Sequence, residues 1–372
     1  MREAMLPSII QPYWQRALRN EMKVARLYSV NDIRIEDIPV PGIGPHDALI
    51  KTRACGICSG DVMPWYIEKK APLVLGHEPT GEIVELGKEL LSARTPPPSS
   101  VPFSIGDRVF VHHHAPCMEC RYCRRGTHVQ CETWRSTSII PGGISEYILI
   151  PEINLRNDTL ALPDEISYED GTLVEPTACV VKSFTRSAIK EGDSLLIIGL
   201  GVMGQIHILL ARKFGAGKVI GADRVPFRLS KALQFGADHV IDVSKDDLFE
   251  SVSALTEGSM ADVVVVGPNS VAAMQQGIGV VSRGGTVVLF TPARPGESLT
   301  IDPNPIYFRD ISLITSYSCG PADTRKALAL IREGWVSAER LVTHTFPIEK
   351  TAEAFTLTSR ASDSLKSIVV FS

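Results

Sequence analysis

The 372-residue sequence contains no apolar run approaching the roughly 18–20 residues that a membrane span requires. Neither sign of charge dominates. The 38 Lys and Arg against 42 Asp and Glu leave a net charge of −4, which argues against a nucleic-acid surface and gives no attraction to an anionic membrane. No internal repeat is visible, and the N-terminus lacks an apolar signal-peptide core. A secreted disulfide framework is therefore not expected for the eight cysteines, and a reducing cytoplasm fits them better. Residues 1–21 have few serines and two glutamates, whereas targeting peptides are Arg- and Ser-rich and poor in acid. With Met22 offering a second start, residues 1–21 are expected to be an N-terminal extension, either a mis-assigned start or an added arm, rather than a targeting peptide.

What is present is the composition of an ordinary globular protein, 44% hydrophobic and 22% charged. The length exceeds a single typical core, so two domains are expected. From Met22 to about Pro151 short β-type runs are broken by Gly and Pro: MKVARLYS, IRIEDI, ALIKTRACGIC, GEIVELG, DRVFVHH and EYILI. That rhythm predicts an all-β barrel or sandwich domain. The Pro/Ser-rich stretch Ser92–Ser104 reads as a surface loop. After about residue 175, nearly continuous apolar runs alternate with helix-length segments: SLLIIG, KVIGAD, HVIDV, DVVVVG, TVVLF and ISLITS. They predict a doubly wound parallel sheet, buried on both faces, with six strands. A helical stretch (ADTRKALALIREG) and a terminal strand (KSIVVF) follow. The expected division is 1–174, 175–317 and 318–372.

Four cysteines, Cys117, Cys120, Cys123 and Cys131, are spaced C-x2-C-x2-C-x7-C. Four thiolates this close can converge on one tetrahedral Zn²⁺, and such a closed set leaves no position for substrate. It stabilises a loop. Gly199-Leu200-Gly201-Val202-Met203-Gly204 follows the strand-like SLLIIG and opens a helical run, and a second strand ends at Asp223. In that context the three glycines make a dinucleotide fingerprint: a tight turn, close approach of backbone to pyrophosphate, and helix-on-strand packing. The helix N-terminus offers N–H groups and partial positive charge to the phosphates. A carboxylate at Asp223 accepts from the adenine-ribose hydroxyls and repels a 2′-phosphate, favouring NAD. Arg224 and Arg228 pull toward NADP, since guanidinium groups hold such a phosphate. Three dispersed segments carry further ligand types: Cys58 in ACGICSGD, His77-Glu78 in LGHEPTGEIVELG, and Glu175 in LVEPTACV. Spacing alone does not assemble them.

In family order these residues give CGIC-x-x-D, GHE, GDRV, the four-cysteine lobe, GG-x-x-EY, EP-x-AC and the fingerprint. From Met22 to the C-terminus the chain resembles the zinc-containing medium-chain dehydrogenase/reductase (alcohol dehydrogenase) family. Glu175-Pro resembles the sorbitol and L-threonine dehydrogenase branch. The resemblance implies an α/β architecture, with a GroES-like β-rich catalytic domain and a Rossmann domain, and a second zinc in the cleft between them. It implies that Cys58 and His77 are ligands of that zinc. Glu78 would ligate directly or sit just behind, and Glu175 would take the fourth position, directly or through a water. Asp61 would hold the histidine, and Lys366 would stand at the cofactor pyrophosphate. The activity implied is hydride transfer from an alcohol or polyol to NAD, less readily NADP, in a homodimer or homotetramer. Runners-up are a member acting on an atypical alcohol or aldehyde with NADP, and a non-catalytic nucleotide-binding homologue.

The family's usual proton relay places Ser or Thr two residues after the cysteine ligand and His five after it. Those positions are Gly60 and Met63, so the route of the proton and the substrate class stay open. Met63-Pro64-Trp65-Tyr66 adds bulk near the pocket. Cys55 is expected to be a packed thiol, and Cys179 and Cys319 buried small hydrophobes. His112, His113 and His114 are expected in surface or structural roles, because consecutive strand residues face opposite ways. His207 is expected to pack within the fingerprint helix.

Overall fold

The computed structural model describes residues 20–91 and 103–372. Most of the expected N-terminal extension and of the Ser92–Ser104 loop lie outside the described residues. The N-terminal part contains β1 (Glu21–Ser29), β2 (Asp32–Pro39), β3 (Ala48–Gly56), β4 (Leu73–Val74), β5 (Glu78–Leu86), β6 (Arg108–Val111), β7 (Tyr147–Ile150) and β8 (Thr159–Ala161). β2-β1-β4 form a small antiparallel sheet. β3 pairs along one side with β5 and, through Ala48–Lys51 on its other side, with β7, and β5 continues through β6 to β8. Strands β4 and β8 are too short to announce themselves in the hydropathy pattern.

The second body holds β9 (Ser194–Ile198), β10 (Lys218–Asp223), β11 (His239–Asp242), β12 (Ala261–Val266), β13 (Val281–Leu289) and β14 (Ser312–Thr315). Their order is β11-β10-β9-β12-β13-β14, all parallel. This is the doubly wound order, reversing at β9, and it leaves a crevice at the carboxyl ends of β9 and β12. The apolar runs are continuous because each strand feeds two cores. Leu195, Ile197, Val263 and Val265 pack into one, and Leu196, Ile198, Val264 and Val266 into the other. The helix Val202–Ala211 leaves β9 directly and closes through a short 3-10 turn at Gly215, whose φ of +102° suits glycine.

The chain then returns. The helix Pro321–Arg332 leads to β15 (Val342–Pro347) and β16 (Lys366–Val370), and β16 joins β3 antiparallel. Strands near the C-terminus thus join a sheet built from residues 48–161. β15, with the polar run Thr343-His344-Thr345 and no buried residue, was not among the expected strands.

His207 packs as expected. It is 1% exposed, with Nδ1 2.8 Å from the Met203 carbonyl and Nε2 3.1 Å from Ser183 Oγ. Burial lowers its pKa to about 4. The unfolded chain therefore binds the proton first as pH falls. Stability contributed by neutral His207 is complete above about pH 6.5 and is lost between about 6.5 and 4. His207→Gln is expected to remove roughly 2–3 kcal/mol of the stability difference between pH 7.5 and 4.5, measured by urea unfolding of both proteins at each pH.

Candidate active site and metal centres

Cys58 sits two residues beyond β3 and caps the turn Ser59–Val62, its Sγ accepting from Gly60 N at 3.3 Å. His77 follows Gly76, whose φ of +91° turns the chain into β5, and Glu78 is the first residue of β5, opposite Gly56. One donor atom each from Cys58, His77 and Glu78 lies within 4.8 Å of the others. Asp61, 4% exposed, places Oδ2 3.2 Å from His77 Nδ1. That oxygen has no well-aligned hydrogen bond; the contact orients the ring, leaving Nε2 as its ligand atom.

Beneath this set, Lys366 forms an ion pair with Glu78 and donates to the Ile57 carbonyl at 3.0 Å. Both side chains are 1% exposed. Burial raises the Glu78 carboxyl, opposed by the Lys366 ammonium. Desolvation acts to lower Lys366, but the Glu78 carboxylate outweighs it and raises the value. A Cβ at position 56 would collide with the Glu78 carboxylate and come within 2.9 Å of Lys366 Cε, so the glycine of CGIC makes room for the pair. Lys366, expected at the cofactor pyrophosphate, has its ammonium on the metal-ligand side of the cleft.

Glu175 is not among the donors that lie within 4.8 Å of one another at the Cys58 set, though its charge acts on Glu78 and Lys366. In the first turn of the helix Val174–Ser187 and 6% exposed, it groups with His112 and Cys319. Cys179, one turn on, donates to its Oε1 at 3.4 Å. Cys319 is buried in the hydrophobic core and Cys179 packs against it, as expected, but each also has a polar neighbour, His112 and Glu175 respectively. Of the surface or structural roles expected for the histidines, His112 has the structural one: it is 0% exposed, with Nδ1 2.6 Å from Asp158 Oδ2. The strand ends at Val111, so the three histidines are not bound to alternate. The His113 ring centre lies 4.9 Å from that of His77 and 4.1 Å from that of His114. Burial holds His113 well below the usual histidine range and brings His114 to about 4. Cys55 is buried in the core, its thiol pushed up to about 12 by desolvation.

In the cysteine lobe, Sγ–Sγ distances are 3.9 Å (Cys117–Cys123), 3.5 Å (Cys120–Cys123) and 3.6 Å (Cys117–Cys131). Zn–S bonds of about 2.3 Å in a tetrahedron give edges of roughly 3.8 Å, so the four sulfurs fit one zinc. Their electrostatics ask for it too. Against the raising effect of burial, backbone N–H groups of Cys117 and Trp134 bring Cys131 down to about 6. Burial and neighbouring thiols push Cys123 up to about 12. Four thiolates coexist here only around a cation. Trp134, 2% exposed, packs against the lobe.

At the fingerprint, Gly199 has φ +87°, and a Cβ there would meet Pro268 Cδ at 2.9 Å. A Cβ on Gly204 would strike the Gly199 carbonyl. At Gly201 a Cβ would meet only the Arg228 guanidinium, at 3.9 Å, so the space above the helix N-terminus is free for a pyrophosphate. Asp223 Oδ2 accepts from Leu200 N at 2.7 Å, and Oδ1 from Arg224 N and Val225 N at 2.7 and 2.9 Å. Arg228 NH1 lies 3.7 Å from Asp223, while its Nε is buried without a partner. Arg224 is exposed. These residues fit a dinucleotide. Across the cleft, Asn269 Nδ2 lies 3.4 Å from Met63 Sδ. A Cβ at Gly60 would sit 3.5 Å from Cys58 Sγ, 3.8 Å from Met63 Cε and 3.9 Å from Tyr66 Cε1, so the missing hydroxyl's place is enclosed by Met63 and Tyr66.

Residues 44–163 match the family profile of the alcohol dehydrogenase GroES-like domain, and residues 202–333 that of the zinc-binding dehydrogenases. Sorbitol dehydrogenase of Bacillus subtilis (strain 168) is 30% identical over 90% of this chain and 92% of its own length. L-threonine 3-dehydrogenase of Rhizobium etli (strain CIAT 652) is 30% identical over 86% and 90%. Among solved structures, 2R,3R-butanediol dehydrogenase from Bacillus subtilis superposes with TM-score 0.80 at 27% identity, over 94% of this chain and 100% of that one. An NADP-bound protein from Sinorhizobium meliloti 1021, described as a zinc-binding dehydrogenase, does so with TM-score 0.83 at 27% identity, over 95% and 100%.

Removing one partner of a buried ion pair strands the other charge. Lys366→Met is expected to cost about 3–5 kcal/mol of folding stability, read from urea unfolding. Lys366→Met/Glu78→Gln, which leaves no stranded charge, should recover most of it.

Proposed function

The chain belongs to the zinc-containing medium-chain dehydrogenases, in the branch of the sorbitol and threonine dehydrogenases, and we propose that it oxidises a secondary alcohol or polyol to a ketone with NAD. The observation that carries this reading is the convergence of Cys58, His77 and Glu78 within 4.8 Å, on the body that faces the dinucleotide fingerprint. In this reading those three residues hold the catalytic zinc and Glu175 is their further partner. Cys117, Cys120, Cys123 and Cys131 hold the structural zinc. The domains divide as 1–174, 175–317 and 318–372.

A zinc held by Cys58, His77 and Glu78 would supply Lewis acidity toward a hydroxyl near neutral pH, and a bound nicotinamide would supply the hydride-accepting ring. The chain's residues do the positioning. Asp61 sets the His77 ring. Gly60 N stabilises the Cys58 thiolate by donating to Sγ. Lys366 balances Glu78, so the three-residue set carries less negative charge and leaves a bound cation more electrophilic. The helix at Val202 faces the pyrophosphate with free N–H groups, and Asp223 takes the adenine-ribose hydroxyls. The relay positions hold Gly60 and Met63, and Met63 with Tyr66 lines that side with apolar and aromatic surface. The donor hydroxyl therefore sits against a wall that favours carbon substituents over a fully hydrated polyol chain.

NADP is the second reading, favoured by the unpartnered Nε of Arg228 and by the NADP in the Sinorhizobium meliloti relative. A homo-oligomer is part of the proposal. It is supported by the outer strand β14 and the neighbouring Tyr307 and Phe308, 78% and 76% exposed. A cytoplasmic location accords with thiolate-rich metal clusters, which a reducing compartment preserves.

Cys58→Ser is expected to lower turnover beyond the roughly 10–100-fold that loss of an outer partner of a metal ligand costs, with NAD binding nearly intact. Secondary alcohols, polyols and hydroxy-amino acids, screened by the absorbance of reduced cofactor, are the substrates to use; retained turnover would remove Cys58 from the site. Asp223→Ala should weaken NAD by about 10–100-fold, the loss of a charged hydrogen bond, and shift preference toward NADP. Unchanged preference in cofactor titrations would refute the assignment of Asp223.

A further inference from the structure

The functional reading leaves two members of a second polar group, His112 and Cys319, without a role. His112 follows β6, Glu175 opens the helix Val174–Ser187, and Cys319 lies just before the helix Pro321–Arg332. They are 0%, 6% and 0% exposed. An imidazole nitrogen, a carboxylate oxygen and a thiol sulfur from them lie within 4.8 Å of one another. His112 Nε2 is 3.7 Å from Cys319 Sγ. A tetrahedral Zn²⁺ with bonds of about 2.0–2.3 Å needs ligand edges of roughly 3.3–3.8 Å. That edge is already in place, and a side-chain adjustment of about an ångström closes the widest possible gap.

The surroundings are those of a metal ligand. Asp158 Oδ2 lies 2.6 Å from His112 Nδ1, and Thr324 Oγ1 donates to Asp158 Oδ1 at 2.5 Å. A carboxylate on Nδ1 fixes the tautomer that carries its hydrogen there, so Nε2 presents a lone pair to the cluster. This repeats the relation of Asp61 to His77, with tighter geometry. Among the described residues Glu175 forms no ion pair; a Cys179 thiol at 3.4 Å is its side-chain donor. A divalent ion between the carboxylate, the thiolate and the imidazole would offset the cost of burying their charge. Mixed imidazole, thiolate and carboxylate donors suit Zn²⁺ among common ions. Cys179 is a further sulfur at hand.

We propose that His112, Glu175 and Cys319 form a further metal position for Zn²⁺, which adjoins the Cys58 set through Glu175 and is separate from the cysteine lobe. It meets the functional reading at Glu175 alone, and its test uses the two residues that reading does not employ. The full-length protein is stripped with chelator, reloaded with Zn²⁺, desalted and assayed for metal per chain. Cys319→Ala should retain one equivalent fewer than the parent, and one fewer again when combined with Cys58→Ser. The same decrement in a Cys131→Ser background separates this position from the lobe. His112→Gln should match Cys319→Ala; Cys319→Ala, which only trims a small buried thiol, decides the matter if His112→Gln fails to fold. Reloading with Co²⁺ should show thiolate-to-metal absorption that Cys319→Ala diminishes in the Cys58→Ser/Cys131→Ser background. A Cys319→Ala protein with the parent's full complement overturns the proposal. If Cys58→Ser loses an ion and Cys319→Ala does not, this position falls and the catalytic reading stands. The converse result supports this position and removes Cys58.

Discussion

Lys366 and Glu78 are separated by 288 residues and joined by one buried ion pair. Their meeting requires β16 to lie against β3, and β3 against β5. It also requires a glycine at position 56 between the two side chains. Neither charge could be left alone there, since an uncompensated buried ion costs several kcal/mol. The pair therefore ties the returning C-terminal strand to β5, which carries Glu78. The six-stranded nucleotide body, between those points in sequence, is held by its two ends against the same sheet. Both the cleft and the chemistry in it depend on that closure.

The cleft has a division of labour. One side carries Cys58, His77 and Glu78 at the ends of antiparallel strands, where turns at Ser59 and Gly76 let short side chains converge. The other carries the glycine turn and helix N-terminus at the carboxyl end of β9, where the doubly wound order reverses. Met63 and Asn269 touch across it. In the proposed function a substrate between them would meet metal ligands on one wall and cofactor on the other, with Tyr66 and Met63 in place of the usual polar relay.

Much of this was legible in the chain itself. The Rossmann strands are visible because burial on both faces makes them continuous apolar runs, and the fingerprint because its three glycines each have a separate steric reason. The cysteine lobe is local, so its spacing alone suffices to bring the sulfurs together. Strands β4, β8 and β15 were not legible, being short or half polar and held in place by neighbours. The role of Cys319 was hidden for a different reason. A buried cysteine in a sequence reads as a small hydrophobe, and only its distance to His112 and its grouping with Glu175 make it a donor.

By itself the sequence determined the class of the sheet, the thiolate lobe, the dinucleotide turn and the acidic residue at Asp223, because each is set by contacts within a few residues or one βαβ unit. Tertiary structure alone decided which dispersed ligands share a space. It put Lys366 under Glu78, placed Glu175 with His112 and Cys319, and brought His113 beside His77. Such groupings join side chains from strands and helices far apart in the chain. They follow from strand register and helix packing, which residue types alone do not encode.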